Sequence, residues 1–219
     1  MDEFKYLFII DFESTCWEKK FMADWEIIEF SAVFYSLYEG RIEKEFQQFV
    51  FPTENPKLSA FCSKLTGITQ ELVEREGVPI GTCLMLFNKW VKEILQEYGL
   101  IFPKMTRDNL HGNVALMSWS NWDFGQCLKQ ECSRKRIKRP SYFNQWIDLK
   151  ESFEKFFRYP PRSFRDALDF LAFEFEGQEH CGLHDARNAA KIVNFMYKHK
   201  AKFEITSDLL PANKMNFSF

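Results

Sequence analysis

Apolar residues near the start of the chain form short runs that are typical of β-strands. The run Tyr6–Phe12 is rich in Ile and Phe, and Glu26–Leu37 is apolar with several β-branched and aromatic residues. The turn Glu39-Gly40 separates this second run from a third one at Arg41–Phe51. Two runs joined by a short glycine turn predict a hairpin. We therefore expect three neighbouring antiparallel strands at the start of the fold.

After residue 80, apolar positions recur every three or four residues, which is the spacing of an amphipathic helix. This pattern predicts helices at Ile80–Tyr98, Phe124–Ser133, Phe164–Phe173 and His184–Tyr197. It also predicts a strand at Asn113–Trp119, a short strand or turn near Tyr142–Ile147, and a loop at Leu100–Gly112. Antiparallel strands followed by alternating strands and helices predict an α/β fold with a mixed five-stranded sheet flanked by helices. We expect one domain over residues 1–200 and a tail over 201–219 that packs on it.

The length and composition fit a folded domain, but the net charge does not by itself suggest a nucleic-acid partner. The chain has 219 residues and a formal net charge of −2, whereas nucleic-acid binders are commonly basic. The acidic start lacks the features of a secretory signal, and no apolar stretch reaches the ~18 residues of a membrane span. The six cysteines form no C-x-x-C pair. These features predict a cytoplasmic or nuclear protein that is not secreted and has reduced thiols.

The distribution of charge along the chain changes that picture. Residues 1–110 carry 12 basic and 18 acidic side chains, whereas residues 129–165 carry 11 basic and 4 acidic ones. The densest basic run supplies a candidate surface that follows a nucleic-acid backbone, made of Arg134, Lys135, Arg136, Lys138 and Arg139. Such a surface would make binding depend on salt. A solvated helix end and a nuclear localisation signal remain alternative explanations of this run.

Acidic side chains occur where predicted strands end and helices begin. Asp11 and Glu13 lie two residues apart at the end of a strand, so they share one face. Two carboxylates on one face repel each other unless a hard cation such as Mg²⁺ binds between them. Asp123 follows a middle strand, as a helix N-cap or as a ligand in the crevice there. Asp185 opens the last helix, and His180 lies in the preceding loop.

Two further sites are conceivable from the cysteines and histidines. A zinc site would use Cys127, Cys132, Cys181 and His184, although their spacing matches no usual ligand pattern. A thiol hydrolase would use Cys181 between His180 and His184, but no orienting Asn or Asp is evident.

Taken together, the acidic motifs resemble those of the DEDDh 3′–5′ exonucleases, which have a ribonuclease H-like fold. The matching residues, in chain order, are Asp11, Glu13, Asp123, His180 and Asp185. Six wider motifs resemble the Snipper-type branch of this family, which includes the enhanced-RNAi and histone-mRNA exonucleases. These motifs are F-I-I-D-F-E-S-T-C, E-I-I-E-F, F-C-S-K-L-T-G-I-T-Q, S-N-W-D, W-I-D-L and F-E-G-Q-E-H-C-G-L-H-D-A-R-N-A-A. The resemblance covers Phe4 to Tyr197. One departure is His184, where the family has a second acid before the aspartate.

The resemblance implies an enzyme that hydrolyses phosphodiester bonds from the 3′ end of RNA, DNA or both and releases nucleoside 5′-monophosphates. Asp11, Glu13, Asp123 and Asp185 would bind two Mg²⁺ ions, with Mn²⁺ as a substitute, and His180 would be the general base. The resemblance further implies nucleotide-binding residues, namely Ser14, Phe61, Leu65, Thr66 and Trp122. We expect a monomer that binds nucleic-acid 3′ ends and no membrane, consisting of the nuclease domain alone. An inactive nucleic-acid-binding module and a protein-interaction adaptor are the alternatives.

Overall fold

Three long antiparallel strands begin the fold, as the sequence predicts. The computed structural model describes residues 4–19, 24–103 and 112–209. The strands are β1 (Tyr6–Ser14), β2 (Ile27–Ser36) and β3 (Arg41–Phe49). The backbone of Gly40 has a φ of +67° in the turn between β2 and β3. A side chain would be strained in this conformation, so a glycine suits the hairpin at this position.

Three helices follow β3, and the sequence pattern indicates only the longest of them. They are α1 (Ala60–Thr66), α2 (Gln70–Glu76) and α3 (Ile80–Tyr98). The two short helices are capped by Ser59 and Thr69, whose hydroxyls accept from the amides of Cys62 and Leu72. Seven residues make about two turns, which is too few for a periodic pattern to be clear.

The second half alternates strands and helices, with two irregular segments. It comprises β4 (Val114–Ser118), a π-helical segment (Trp122–Leu128), α4 (Lys129–Arg134), a 3₁₀ turn (Ser141–Asn144), β5 (Gln145–Asp148), α5 (Leu149–Phe157), α6 (Phe164–Phe170), α7 (Gly182–Lys198) and β6 (Ser207–Asp208). The sequence analysis assigned no element to the residues of α5. Of the expected loop Leu100–Gly112, residues 104–111 lie outside the described part.

The described strands form one mixed sheet in the order β3-β2-β1-β4-β5-β6. Strand β1 is parallel to β4, and β4 is parallel to β5, whereas the other neighbours are antiparallel. The expectation of five strands is therefore one too few. The sixth strand, β6, has two residues and no detectable period. In the expected tail, Ala201 and Phe203 are buried and β6 pairs with β5, while residues 210–219 lie outside the described part.

Alternating side chains of β1 build two separate cores on the two faces of the sheet. Phe8, Ile10 and Phe12 pack toward α3 on one face, and Leu7 and Ile9 pack toward α7 on the other. Because side chains alternate along a strand, the residues that continue the second face beyond Ile9 lie on the side of α7. No helix in the described ranges is both long and apolar enough to cross a membrane.

Candidate active site

Three carboxylates meet at the carboxyl end of β1. Asp11 and Glu13 continue the face of β1 that packs on α7, and Asp185 lies in the first turn of α7. One oxygen from each carboxylate lies within 4.8 Å of the other two. Strand β1 supplies two acids on one face, and the first turn of α7, which packs on that face, supplies the third. Such a group of oxygens is suited to a hard divalent cation.

Asp123 belongs to the same cavity but lies outside that tight group of three. It lies in the first turn of the π-helical segment, one residue after its start, so the alternative role of helix N-cap is wrong. Its Oδ1 accepts a hydrogen bond from the amide of Phe12 at 3.3 Å. Because β1 and β4 are parallel, the segment after β4 starts at the same sheet edge where β1 ends. This hydrogen bond joins the two strand ends directly.

His180 lies on an exposed loop that leads into α7. Its backbone has a φ of +61°, and its side chain lines the cavity together with the four acids. The loop is held by His184, whose Nδ1 accepts a hydrogen bond from the amide of Gln178 at 3.0 Å. An acid at position 184 could accept the same hydrogen bond. His184 therefore preserves an acceptor where the resembled family has an acid.

The acids and His180 surround a cavity of about 340 Å³. Ser14, Leu65 and Trp122, which the sequence assigns to a nucleotide site, also line it. The sequence analysis missed several other lining residues, among them Cys16, Trp119, Ser120 and Phe164. Trp119 and Phe164 pack edge to face with ring centroids 5.0 Å apart, and they form an aromatic wall. The position of Trp119 near Asp123, in the segment after β4, could have indicated that it belongs to the site. The sequence around Phe164 contains no such indication.

Two of the expected nucleotide-binding residues, Phe61 and Thr66, do not line this cavity. Phe61 is on the exposed surface of α1, with 40% of its area accessible, one turn before Leu65 on the same helix face. Thr66 is buried, and its hydroxyl donates to the carbonyl of Cys62 and accepts from the amide of Ile68. The structure therefore corrects the expectation for Thr66. Its side chain completes the end of α1, since both hydrogen-bonding functions of the hydroxyl are used internally.

Burial and repulsion from neighbouring carboxylates raise the pKa values of all four acids. Burial raises the pKa of Glu13 to about 9, with Asp185 the strongest of the neighbouring charges. Burial also raises the pKa values of Asp123 and Asp185 to about 7, and that of Asp11 well above its usual range. In addition, Oδ2 of Asp185 is buried and has no hydrogen-bond partner. A buried, unpartnered carboxylate oxygen among other acids fits a divalent cation.

These pKa directions predict how the stability of the metal-free protein changes with pH. The folded state binds protons on these acids up to about pH 7–9, whereas the unfolded chain releases them near pH 4. Folded protein therefore holds more protons between these limits, so the free energy of unfolding falls as pH rises. In EDTA, we expect the melting temperature to drop by several degrees from about pH 6 to pH 9.

Thermal melts with and without Mg²⁺ check this expectation. Saturating Mg²⁺ should raise the melting temperature most at the alkaline end, because the cation offsets the repulsion. Asp185→Asn should flatten the pH dependence in EDTA, since it removes one of the repelling charges. The same slope in EDTA and in Mg²⁺ would contradict the attribution to this cluster.

The expected basic surface is only partly exposed, and here the structure corrects the sequence analysis. The Nζ of Lys135 donates to Glu26 at 2.6 Å and to Glu131 at 2.7 Å, and its side chain is 10% exposed. Arg134 binds the Trp25 carbonyl and Glu54. Lys135 neutralises two buried acids and is not free to contact phosphates, whereas Arg134 is 23% exposed and is held in ion pairs with acids at the surface.

Of the other members of the basic run, one is bonded within the protein and two are exposed. Arg139 is half-buried and donates to the side chain of Asn144 and, through Nη1, to the carbonyl of Phe124. Arg136 and Lys138 are exposed. The free basic surface is thus reduced to these two side chains, and the rest of the run stabilises the fold.

Lys135→Met should therefore lower stability and leave the salt dependence of nucleic-acid binding unchanged. Removing one partner of a buried ion pair leaves an uncompensated charge, which costs about 3 kcal/mol. Chemical denaturation measures this loss, and Lys138→Met is the matched control, since Lys138 is exposed in the same run. Wild-type stability of Lys135→Met would show that the ion pair contributes nothing.

The alternative zinc site built on cysteines does not form, and the structure gives no support to the thiol hydrolase. Within the described ranges, the only close group of potential metal ligands is that of Asp11, Glu13 and Asp185. Cys127 and Cys132 are buried in the core on the α3 side of the sheet, whereas Cys181 precedes α7 on the opposite side. His184 uses its Nδ1 to accept from the loop backbone, so it does not serve Cys181 as a base through that nitrogen.

The mixed sheet, with carboxylates that converge at the carboxyl ends of its parallel strands, places the chain among the nucleases of the ribonuclease H-like fold. The chain belongs to the RNase T exonuclease family, described as "Exonuclease", whose model matches residues 8–193. It is thus a member of the DEDDh 3′–5′ exonucleases, as the sequence motifs suggest.

Similar proteins and a similar solved structure support this assignment. The chain is 44% identical to the 3′-5′ exonuclease Snipper of Drosophila melanogaster, over all of this chain and 79% of that protein. It is 43% identical to ERI1 exoribonuclease 2 of Homo sapiens, over 98% of this chain and only 32% of that protein. The nuclease domain of 3′hExo bound to rAMP superimposes with a TM-score of 0.82 and 32% identity, over 94% of this chain and 98% of that one.

Proposed function

We propose that this exonuclease removes nucleotides one at a time from the 3′ end of RNA, and of DNA as a second substrate, releasing nucleoside 5′-monophosphates. The observation that carries the proposal is the meeting of Asp11, Glu13 and Asp185 within 4.8 Å beside His180 in one cavity. Relatives support RNA as the substrate, since one solved relative recognises the 3′ end of a histone mRNA stem-loop and another binds rAMP.

The four acids would hold two Mg²⁺ ions. Asp11 and Asp185 would contact one or both ions, and Glu13 would contact the same ions. Asp123 would complete the binding site of the second ion. Two divalent ions supply a nucleophilic water and stabilise charge on the transition state and the leaving oxygen. The raised pKa values of the acids support this role, because their repulsion is relieved when cations bind. Mn²⁺ has the same preference for oxygen ligands and should substitute.

His180 would act as the general base. Its side chain is exposed at the cavity, where it can approach a water molecule that attacks the terminal phosphodiester. An imidazole suits this role because its ordinary pKa lies near the working pH. The left-handed backbone at His180 and the hydrogen bond between Gln178 and His184 give the preceding loop a defined path.

The walls of the cavity would bind the terminal nucleotide. Trp122 and Leu65 line the cavity, and Phe61 extends the same surface outward along α1. Stacking of a base on an aromatic ring accepts every base and contributes about 1–3 kcal/mol. Ser14 follows a bulge in the pairing of β1 with β2, and its amide would bind the ribose 3′-hydroxyl.

A panel of end-labelled substrates tests the proposed function. Single-stranded, overhanging and blunt RNA and DNA should be incubated with Mg²⁺, with Mn²⁺ and with EDTA. We expect stepwise shortening of the 3′ end and release of 5′-monophosphates with either ion, and none in EDTA. Binding without any shortening would instead support an inactive nucleic-acid-binding module.

Phe61→Ala should raise KM for RNA and leave kcat nearly unchanged. The loss of one stacking contact costs about 1–3 kcal/mol, or about 5- to 150-fold in KM. Initial rates over a range of RNA concentrations measure this split. Phe170→Ala is the matched control, since Phe170 is 45% exposed on α6 and takes no part in the cavity. An unchanged KM would remove Phe61 from the nucleotide site.

A further inference from the structure

Glu29 is a buried acid below the acidic cluster, and the proposed mechanism assigns it no role. It lies on β2 directly opposite Glu13 in the antiparallel pairing with β1. Its exposure is 1%, and its chain neighbours Ile28 and Phe30 are fully buried. Burying a charged group is costly unless hydrogen bonds satisfy it. An acid within an otherwise apolar strand is the sequence signal that could have drawn attention to it.

Three neutral groups satisfy this carboxylate. Oε1 accepts from the hydroxyl of Ser31 at 2.7 Å and from the side-chain amide of Gln47 at 2.8 Å. Oε2 accepts from the backbone amide of Gly182 at 3.1 Å. No described cation lies within ion-pair distance of Glu29. All three partners donate, so an acceptor with two oxygens fits this position better than an amide side chain, which has one.

The hydrogen bond to Gly182 fixes the start of α7. Gly182 is the first residue of that helix, and a Cβ added there would lie 3.2 Å from the carbonyl oxygen of Asp11 and 3.2 Å from Cβ of Ser31. The helix start therefore sits directly on β1 and β2. His180 precedes this contact by two residues and Asp185 follows it by three, so the contact sets the positions of both relative to Asp11.

We propose that Glu29 is a positioning residue, which holds the first residue of α7 so that Asp185 and His180 face the acids of β1. This inference rests on the proposed nuclease function. Glu29 acts through the backbone of Gly182 and touches neither the substrate nor the reacting atoms. Its loss should lower turnover and leave the surface that binds RNA intact.

Glu29→Gln tests the proposal with Gln47→Ala as its matched control. The glutamine keeps the shape of the side chain but directs an amide N–H at one of the three donors. Gln47→Ala removes one partner of the same carboxylate and retains the hydrogen bond to Gly182. We expect kcat on single-stranded RNA to fall about 10- to 100-fold in Glu29→Gln, with KM unchanged, and Gln47→Ala to match the wild type.

Amide hydrogen exchange provides a readout that needs no activity. In Glu29→Gln, the Gly182 amide should exchange faster while amides of β1 and β2 keep their protection, and Gln47→Ala should leave Gly182 protected. An unchanged kcat, a change in KM alone, or a loss of protection throughout the sheet would overturn the proposal. If the wild type degrades no RNA, the proposed function fails, and the exchange of Gly182 still decides whether Glu29 holds the helix start.

Discussion

Asp11→Asn and Asp185→Asn should each reduce the degradation of RNA by at least ~10³-fold, because the divalent ions that these acids would hold stabilise transition-state charge by several kcal/mol. Both side chains belong to the group of three carboxylates that meet within 4.8 Å. Asparagine is nearly the same size, so the cavity keeps its shape. The substitutions remove repulsion in the metal-free protein, and we therefore expect unchanged or higher melting temperatures in EDTA.

Two measurements separate loss of metal binding from loss of folding. Calorimetric titration with Mn²⁺ in the absence of RNA should show weaker binding in both variants, and thermal melts in EDTA should remain cooperative. Asp169→Asn is the matched control, because Asp169 is exposed on α6 and forms an ion pair with Arg165. Wild-type turnover in either Asp11→Asn or Asp185→Asn would contradict the assignment of these acids as metal ligands.

His180→Ala should lower kcat by about 10²–10⁴-fold, the usual contribution of a general base. The side chain is exposed, so its removal costs little packing energy and the melting temperature should stay the same. The affinity for RNA should change little, because the proposed stacking contacts lie on α1 and after β4.

The control for this prediction is another exposed histidine of the same chain. His199 follows the end of α7, stacks on Phe195 and lies at the opposite end of that helix from the cavity. His199→Ala should keep the kcat of the wild type. If His180→Ala acted mainly on the melting temperature, or kept the wild-type kcat, His180 would not be the base.

The fold could be predicted from the sequence wherever a local period extends over several turns or a whole strand. The hairpin of β2 and β3 and the helix α3 follow from the spacing of their own apolar residues, and their observed bounds differ from the expected ones by two residues or fewer. Short elements such as α1, α2 and β6 were missed. They contain too few residues for a period, and capping or pairing with other segments stabilises them.

For the candidate site, the sequence identified the acids and His180 but not their surroundings. Asp11 and Glu13 share a face because side chains alternate along a strand, and the motif around His180 and Asp185 is continuous in the sequence. The functions of Thr66 and Lys135 were misjudged. Whether a polar side chain is free or already hydrogen-bonded depends on neighbours such as Glu26, which is 109 residues away from Lys135.

The sequence by itself determined the class of this protein, because the acids of the DEDDh motif and the apolar periods are local features that each segment carries alone. Only the tertiary structure decided which charges are available and how the site is held. Glu29 meets the amide of Gly182 across 153 residues, and that contact exists only because β2 pairs with β1 and α7 docks on both. Hydrogen bonds between distant segments depend on packing, which no local pattern of residues encodes.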